Sequence, residues 1–313
     1  MMTFQLASMI LSSALLTGWG SSSAGLSADR GIDIADELNM IVPPDCSGTV
    51  GGIQDAPQIA ADLKPQETDA EAGDEPEKAD PAHELLDRLE TAAADLESFT
   101  AEIIYENWDD LLGRREIRQG KIIYQIDPDT DAKNFAILFE SLTVNQRRQT
   151  RLRHYVFRDR WLAEIDHEAK QFIKRELVPP GRQLDPLKLG EGPVPLPIGQ
   201  PKDEVLKRFK ATLIDPPDDE LALLRGLDEV DGLRLIPREG SPEARDYQRI
   251  DLYYDRATSL PVGINVIEAN SNRKTVRLRN MQRNPELTDE QVEQLSIDEP
   301  DPREWSIDIR PLN

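Results

Sequence analysis

Histidine is the side chain best suited to acid–base catalysis near neutral pH, and this chain has three: His83, His154 and His167. They lie far apart in the sequence, and none has the spacing of a metal-binding motif. The sequence also lacks the G-x-S-x-G, P-loop, G-x-G-x-x-G and H-E-x-x-H motifs. We therefore predict that the protein is not an enzyme, that it needs no cofactor, and that it has no catalytic residues and no metal site.

An acidic run, "DPDTD", places Asp127, Asp129 and Asp131 at the alternate spacing with which a calcium-binding loop begins. Such a loop needs glycine at its sixth position and glutamate at its twelfth, where this chain has Ala132 and Leu138. The run is therefore predicted to be a solvated turn between two strands.

A basic cluster stands out against an acidic background in the segment "NQRRQTRLRH". At a hairpin tip, its arginines could meet an anionic head group or partner, each contributing about 1 kcal/mol near a charged membrane. On the alternative interpretation they are charges on the wet face of two strands. The cluster consists of Arg147, Arg148, Arg151 and Arg153.

The net charge of −22 is divided unevenly along the 313 residues. Residues 29–81 contain 14 acidic and 3 basic side chains, a net charge of −11, and the much longer remainder carries the other −11. An acidic protein does not suit the phosphate backbone of nucleic acid, so we predict no nucleic-acid partner. Residues 29–81 are also poor in aromatic side chains and lack a sustained period, which predicts a disordered acidic linker.

The first 28 residues contain no charged side chain, and their apolar run has roughly the length of a signal-peptide core. We predict a signal peptide over residues 1–28 and a periplasmic or otherwise extracytoplasmic protein, with an uncleaved N-terminal anchor as the alternative. Cys46 is the only cysteine, so no disulfide can form within the chain. It follows the apolar run too distantly to carry a lipid anchor.

Residues 82–313 read as one mainly β (α+β) domain. The segment "DPAHELLDRLETAAADLES" predicts an amphipathic helix capped by Asp80, with leucines on one face. About ten segments with period-2 alternation follow, in a mostly up-and-down order; "YQRIDLYYDRATSLPVGINV" is a complete hairpin. A short second helix, in "KDEVLKRFKATLI", follows a proline-rich loop over residues 178–201 that is a candidate flap or docking segment.

The order of these segments resembles the LolA-like superfamily of periplasmic lipoprotein carriers. Its members open with a helix and "sFxAxfxq", matched here by "SFTAEIIYE". They continue with "DGxxLWxYDxxxxQ" and later with "IxLxFDxxxLPxxI", and asparagines follow the late strand, as Asn280 and Asn284 do here. The middle pattern is matched by Asp159, Trp161, Leu162, Asp166 and Gln171, and the late one by Ile250, Leu252, Tyr254, Asp255, Leu260, Pro261 and Ile264.

The resemblance implies an incomplete antiparallel β-barrel of about ten strands, whose concave face is covered by the N-terminal helix and the short second helix. It further implies that acyl chains of lipids or lipoproteins bind in the apolar interior. The proline-rich loop and the acidic linker are additions to the family pattern. The inward arginine near the start of the barrel is not fixed by the sequence, since Arg114, Arg115 and Arg118 all fit.

The favoured hypothesis is a non-enzymatic carrier. It predicts an apolar void of several hundred cubic ångströms in the interior, which is the usual size of a ligand site. Its partners would be acyl chains and a membrane-bound donor or acceptor protein, and it would be a monomer. The alternative is a protein- or peptide-binding sensor on the same scaffold, which would use a sheet edge or the proline-rich loop. The predicted lid residues are Leu85, Leu86, Leu89 and Leu96. The predicted lining is Phe99, Ile103, Tyr105, Ile122, Tyr124, Phe135, Ile137, Phe139, Trp161, Ile250, Leu252, Tyr254, Val262 and Ile264.

Overall fold

A computed structural model describes residues 80–181, 198–218 and 220–312. The predicted leader, nearly all of the predicted linker and residues 182–197 of the proline-rich loop lie outside these ranges. The described helices are α1 (Pro81–Ala92), α2 (Lys202–Arg208) and α3 (Asp289–Glu293), with a 3-10 turn at Pro242–Arg245. The described strands are β1 (Ser98–Asp109), β2 (Arg114–Ile126), β3 (Lys133–Val144), β4 (Arg147–Arg158), β5 (Trp161–Asp166), β6 (Gln171–Glu176), β7 (Phe209–Ile214), β8 (Val230–Pro237), β9 (Tyr247–Asp255), β10 (Pro261–Glu268), β11 (Arg273–Arg283) and β12 (Ser306–Arg310).

All twelve described strands belong to one open sheet, in the order β12-β6-β5-β4-β3-β2-β1-β11-β10-β9-β8-β7. Two up-and-down series, β1 to β6 and β7 to β11, are joined where β1 pairs with β11. The predicted fold class, an incomplete barrel with few helices, is confirmed. Two details differ from the prediction: there are twelve strands rather than about ten, and β12 is parallel to β6 rather than antiparallel.

The sheet bends at β-bulges, which insert a residue into one strand and increase its twist. One bulge lies on β3, where Glu140 has no partner between Ser141, which faces Gln119 of β2, and Phe139, which faces Gly120. A side chain at Gly120 would place its Cβ 2.0 Å from the carbonyl oxygen of Leu138 on β3, so only glycine fits there. The close approach of β2 and β3 at the bulge therefore requires glycine at position 120.

Helix α1 lies across the face of the sheet that we call the inner face. Asp80 caps it, because its side chain accepts a hydrogen bond of 2.9 Å from the backbone N–H of Ala82. The helix ends at Ala92, earlier than its apolar pattern predicts, because the chain must turn before β1 begins at Ser98. Leu96 is nevertheless buried in the same apolar cluster as the helix.

The outer face is covered by short segments. Leu295, which follows α3, packs against Ile123, Leu138 and Val156 of the central strands. Near the other edge, Leu224 packs against Tyr253. Both faces of the sheet are thus partly covered, and no described helix is long and apolar enough to cross a bilayer.

Candidate functional site

The inner face gathers most of the predicted binding residues into one apolar cluster. All four predicted lid leucines belong to this cluster, and each is buried. Twelve of the fourteen predicted lining residues belong to it as well, and none is more than 3% exposed. They are Phe99, Ile103, Tyr105, Ile122, Tyr124, Phe135, Ile137, Phe139, Ile250, Leu252, Tyr254 and Ile264.

Two predicted lining residues are placed elsewhere. Trp161 is adjacent in β5 to Leu162 of the inner cluster, so it points to the outer face. There Arg160 and Lys174 lie 5.8 Å and 5.1 Å from its ring centre. Val262 packs with the outer cluster around Tyr253, because a bulge between Pro261 and Gly263 interrupts the alternation on which the prediction rested. Neither residue lines the interior.

The interior is filled by its own side chains. One hollow is described beneath the lid, between α1, α2 and strands β8 and β9. Its volume of about 20 Å³ holds little more than one water molecule, so the described residues do not enclose the predicted apolar void of several hundred cubic ångströms beneath the lid. Its lining is apolar except for Gln200 and Ser259; it comprises Leu86, Leu89, Ala92, Ala93, Leu96, Ile198, Gly199, Val205, Leu233, Leu235, Leu252, Tyr254 and Leu260.

Several of these lining residues were not predicted. Leu233 and Leu235 alternate along β8, which the sequence identified as a strand, so the signal was present although the residues were not chosen. Val205 is the buried residue of α2. Ile198 lies near the end of the proline-rich loop, where no periodicity marks a buried position.

Ion pairs along its sides hold the lid. Asp87 accepts a hydrogen bond of 2.7 Å from the Lys202 ammonium group at the start of α2, and this bond raises the pKa of Lys202. Arg88 pairs with Asp231, which adjoins β8 residues of the hollow. Both pairs are solvent-exposed, and exposed pairs contribute little to stability. The apolar contacts of its leucines therefore dominate the attachment of α1.

At one end of the inner face, the apolar surface gives way to buried charges. Arg118 lies directly across from Tyr105 in the β1–β2 register, so both point inward. This identifies Arg118 as an inward arginine, whereas Arg115 pairs with Glu106. Burial lowers the pKa of Arg118 and raises that of Tyr105 well above its usual value.

A second group of buried charges adjoins the first on β4, β5 and β6. Glu164 receives a hydrogen bond from Arg153 and lies 3.8 Å from Arg175. Arg153, a member of the predicted basic cluster, is thus buried and paired rather than exposed at a hairpin tip. Burial raises the pKa of the neighbouring Tyr155 to about 12, so its phenol stays protonated. These groups lie next to one another but hold no arrangement of nucleophile and free base.

The fold brings together two of the three histidines. His154 Nδ1 and His167 Nε2 are 3.2 Å apart, and the rings of His167 and Trp305 are nearly perpendicular, with their centres 5.6 Å apart. The sequence separation of this pair was therefore misleading. Burial, followed by the charge of His167, lowers the pKa of His154 to about 4.

Metal binding finds no support among the described side chains. These side chains contain no group of three or more metal-ligating residues. The predicted solvated turn is formed as expected: the Asp127 carboxylate accepts hydrogen bonds of 3.0 and 3.1 Å from the backbone N–H groups of Asp129 and Thr130.

No model of a known protein family matches the sequence, and no curated protein matches it. Solved structures that are similar to the chain include MucB, with 15% identity, a TM-score of 0.40 and coverage of 69% of this chain; the match spans 62% of MucB, less than two thirds of its length. An uncharacterized conserved protein from Thermus thermophilus is 12% identical over 73% of this chain and 99% of its own, with a TM-score of 0.41. A LolA superfamily protein from Nitrosomonas europaea is 11% identical over 67% and 96% of the two chains, with a TM-score of 0.30.

Proposed function

We propose that the protein is a non-enzymatic carrier that binds acyl chains of lipids or lipoproteins between its lid and the inner face. The observation that carries this proposal is the apolar hollow beneath α1, because its lining is hydrocarbon except for Gln200 and Ser259. A site with so few polar groups recognises a guest through apolar burial, which is non-directional. Such a site selects for chain length rather than for chemical detail.

Entry of an acyl chain requires the lid to move, because the hollow of about 20 Å³ is far smaller than the chain. Withdrawing four buried leucines costs about 6 to 12 kcal/mol, at about 1.5 to 3 kcal/mol each. A chain with about 14 methylenes gains about 11 kcal/mol on burial, at about 0.8 kcal/mol per methylene. The net free energy of replacing the lid by the guest therefore lies between about −5 and about +1 kcal/mol. A near-balanced exchange permits release as well as capture, which is what a carrier requires.

Locking the lid tests whether capture depends on its movement. A Cβ atom built at Gly199 lies 2.9 Å from Cβ of Ala93, and a disulfide needs about 3.8 Å, so a small shift of the loop accommodates the bond. The variant combines Ala93→Cys and Gly199→Cys with Cys46→Ser, which removes the native thiol. The left-handed backbone at Gly199, with φ at 66°, adds a cost of about 1 kcal/mol.

We expect the oxidised variant to exclude a fluorescent fatty acid that the reduced variant binds, with Cys46→Ser alone as the control. Lipid extracted from gently purified wild-type protein should be detected by mass spectrometry. Equal binding by the oxidised and reduced variants would refute capture beneath the lid, and repeatedly empty protein would refute the carrier function.

Partners and location follow from the same proposal. A carrier of insoluble chains works between membranes, so we propose an extracytoplasmic monomer that meets a membrane-bound donor or acceptor. The predicted signal peptide over residues 1–28 remains part of this proposal. Its cleavage is tested by sequencing the N-terminus of the mature protein.

The free edge of the sheet supports a second candidate function, peptide binding. Within the described residues β7 pairs only with β8, so its other side can accept an added strand. Leu213 on β7 is 48% exposed and would pack against such a peptide. A stoichiometric partner protein, captured without any lipid, would favour this function over the carrier.

A further inference from the structure

The turn between β1 and β2 exposes two leucines at its tip. Leu111 is 92% exposed and Leu112 is 67% exposed, the two highest values among the large hydrophobic side chains of the described residues. A single exposed leucine is ordinary on a protein surface, but adjacent leucines at the end of a hairpin form an apolar protrusion. Nothing in the apolar clusters of the described residues uses these two side chains.

Hydrogen bonds fix the turn in the conformation that exposes these leucines. The Asp109 carboxylate accepts a bond of 2.9 Å from the backbone N–H of Leu112. The backbone N–H of Asp110 donates a bond of 3.0 Å to the side chain of Asn272, in the neighbouring β10–β11 turn. Gly113 then adopts a φ of 58°, which favours glycine. The exposure of Leu111 and Leu112 is therefore a consequence of a well-defined turn conformation.

Two exposed arginines lie at the same end of the sheet. In the register, Glu116 of β2 faces Val144 of β3, which in turn faces Arg147 at the start of β4. The β3–β4 turn thus lies about 10 Å across the sheet from the β1–β2 hairpin, at two strand spacings. Arg147 and Arg148 are exposed, and no ion pair involves either of them among the described residues. We call Leu111, Leu112, Arg147 and Arg148 the tip surface.

The two leucines extend farther along the strand direction than the two arginines do. The β1–β2 ladder continues for two more residue pairs beyond Glu116, to Asp109 opposite Arg114. At about 3.4 Å per residue, the leucines project about 7 Å beyond the level of Arg147. Apolar groups of interfacial proteins enter the head-group boundary to a depth of about 5 to 10 Å, so the arginines would remain at the level of the head groups.

The tip surface avoids the negative charge of the rest of the protein. The hairpin end "DDLLGRR" has two acidic and two basic residues and is neutral. Of the nearby carboxylates, Glu106 pairs with Arg115, and Glu116 lies 3.1 Å from Arg114. Arg147 and Arg148 offset the two carboxylates that then remain, so this end of the sheet is neutral, on a protein whose net charge is −22.

We propose that the tip surface docks the protein onto an anionic lipid bilayer, with Leu111 and Leu112 inserted and with Arg147 and Arg148 on the head groups. A protein partner fits less well, because a stable protein interface needs about 800 Å² on each side and the protrusion is only two residues wide. The proposal does not rest on the carrier function, since the tip surface lies outside the hollow and outside the lid.

Vesicle sedimentation tests the proposal on the full chain. Phosphatidylcholine vesicles are compared with vesicles that also contain phosphatidylglycerol. We expect binding to the anionic vesicles, and a drop in the partition coefficient on the order of a hundredfold for Leu111→Ser with Leu112→Ser. Arg147→Gln with Arg148→Gln should lower it about thirtyfold and weaken its dependence on salt.

Leu213→Ser is the matched control, because it removes an exposed leucine from the sheet edge at β7. All variants share the same N-terminus, so the difference between them reports the tip surface alone. The oxidised lid lock should bind vesicles as the reduced form does, which separates docking from cargo uptake. The proposal would be overturned if the wild-type protein did not bind anionic vesicles. It would also be overturned if the double leucine variant bound them as the wild type does.

Discussion

Acidification should destabilise the protein through His154. Folding lowers the pKa of this ring from an ordinary 6.5 to about 4, because the ring is partly buried and touches His167. Between pH 6.5 and about pH 4, the His154 ring binds a proton in the unfolded chain but not in the folded one. The stabilisation is therefore complete above pH 6.5, decreases as the pH falls, and is lost below about pH 4.

The size of the effect follows from these two values. Between about pH 7.5 and about pH 5, the linkage relation gives a loss of about 2 kcal/mol in the free energy of unfolding. Solvent reaches part of the ring, and screening reduces this to about 1 kcal/mol. Carboxylates that titrate near pH 4 add their own slope at lower pH, so the interval above about pH 5 reports the two histidines. The pKa of His167 is lowered as well, mainly by burial, and the comparison with His154→Gln separates its contribution.

Urea unfolding at a series of pH values measures the effect directly. We expect the wild type to lose about 1 kcal/mol more than His154→Gln over this interval. His167→Gln should show an intermediate slope, because it removes the neighbouring charge but leaves the burial. The three titrations share every other ionisable group, so their difference belongs to this pair. A proton NMR titration in which His154 of the folded wild type titrates near its ordinary pKa would refute the reasoning.

Two further substitutions test the sheet that carries the site. Gly120→Ala should destabilise the fold by at least about 3 kcal/mol in urea unfolding, because its Cβ would overlap the carbonyl group of Leu138. Gly113→Ala is the control, because its Cβ meets no atom within 4 Å. It should cost only about 1 kcal/mol, for the left-handed backbone conformation at this position. Glu164→Gln should cost about 3 kcal/mol because it removes the carboxylate that neutralises buried Arg153, and unchanged stability would refute that role.

The elements of the fold were predictable because their signals are local. Alternation along single strands marked about ten strand segments, and the spacing of Leu85 and Leu89 marked α1 and its buried face. The inner cluster follows from the same alternation, which is why most of the predicted lining residues are found together. Local patterns contain enough information for these features, since each depends on residues only a few positions apart.

Features that depend on distant contacts were not predictable. The bulge at Pro261 reverses the side on which Val262 lies, and its register is set against the neighbouring strand β9. The pairing of β12 with β6 and the contact between His154 and His167 depend on how separate segments meet. Whether the interior is filled depends on the volume of its side chains relative to the space between the lid and the sheet. No sequence pattern distinguishes a lined cavity from a packed core. The same leucines and phenylalanines would appear in either.

The pairing of β1 with β11 has a consequence for how the protein is made. Phe99 faces Arg283 across this seam, so the ribosome must add more than 180 residues after Phe99 before this pair can form. Until then, one side of β1 exposes unpaired backbone groups, which invite pairing with other chains. The seam in the middle of the mature sheet is thus an open edge throughout synthesis. We expect nascent chains to need protection from a chaperone until β11 emerges.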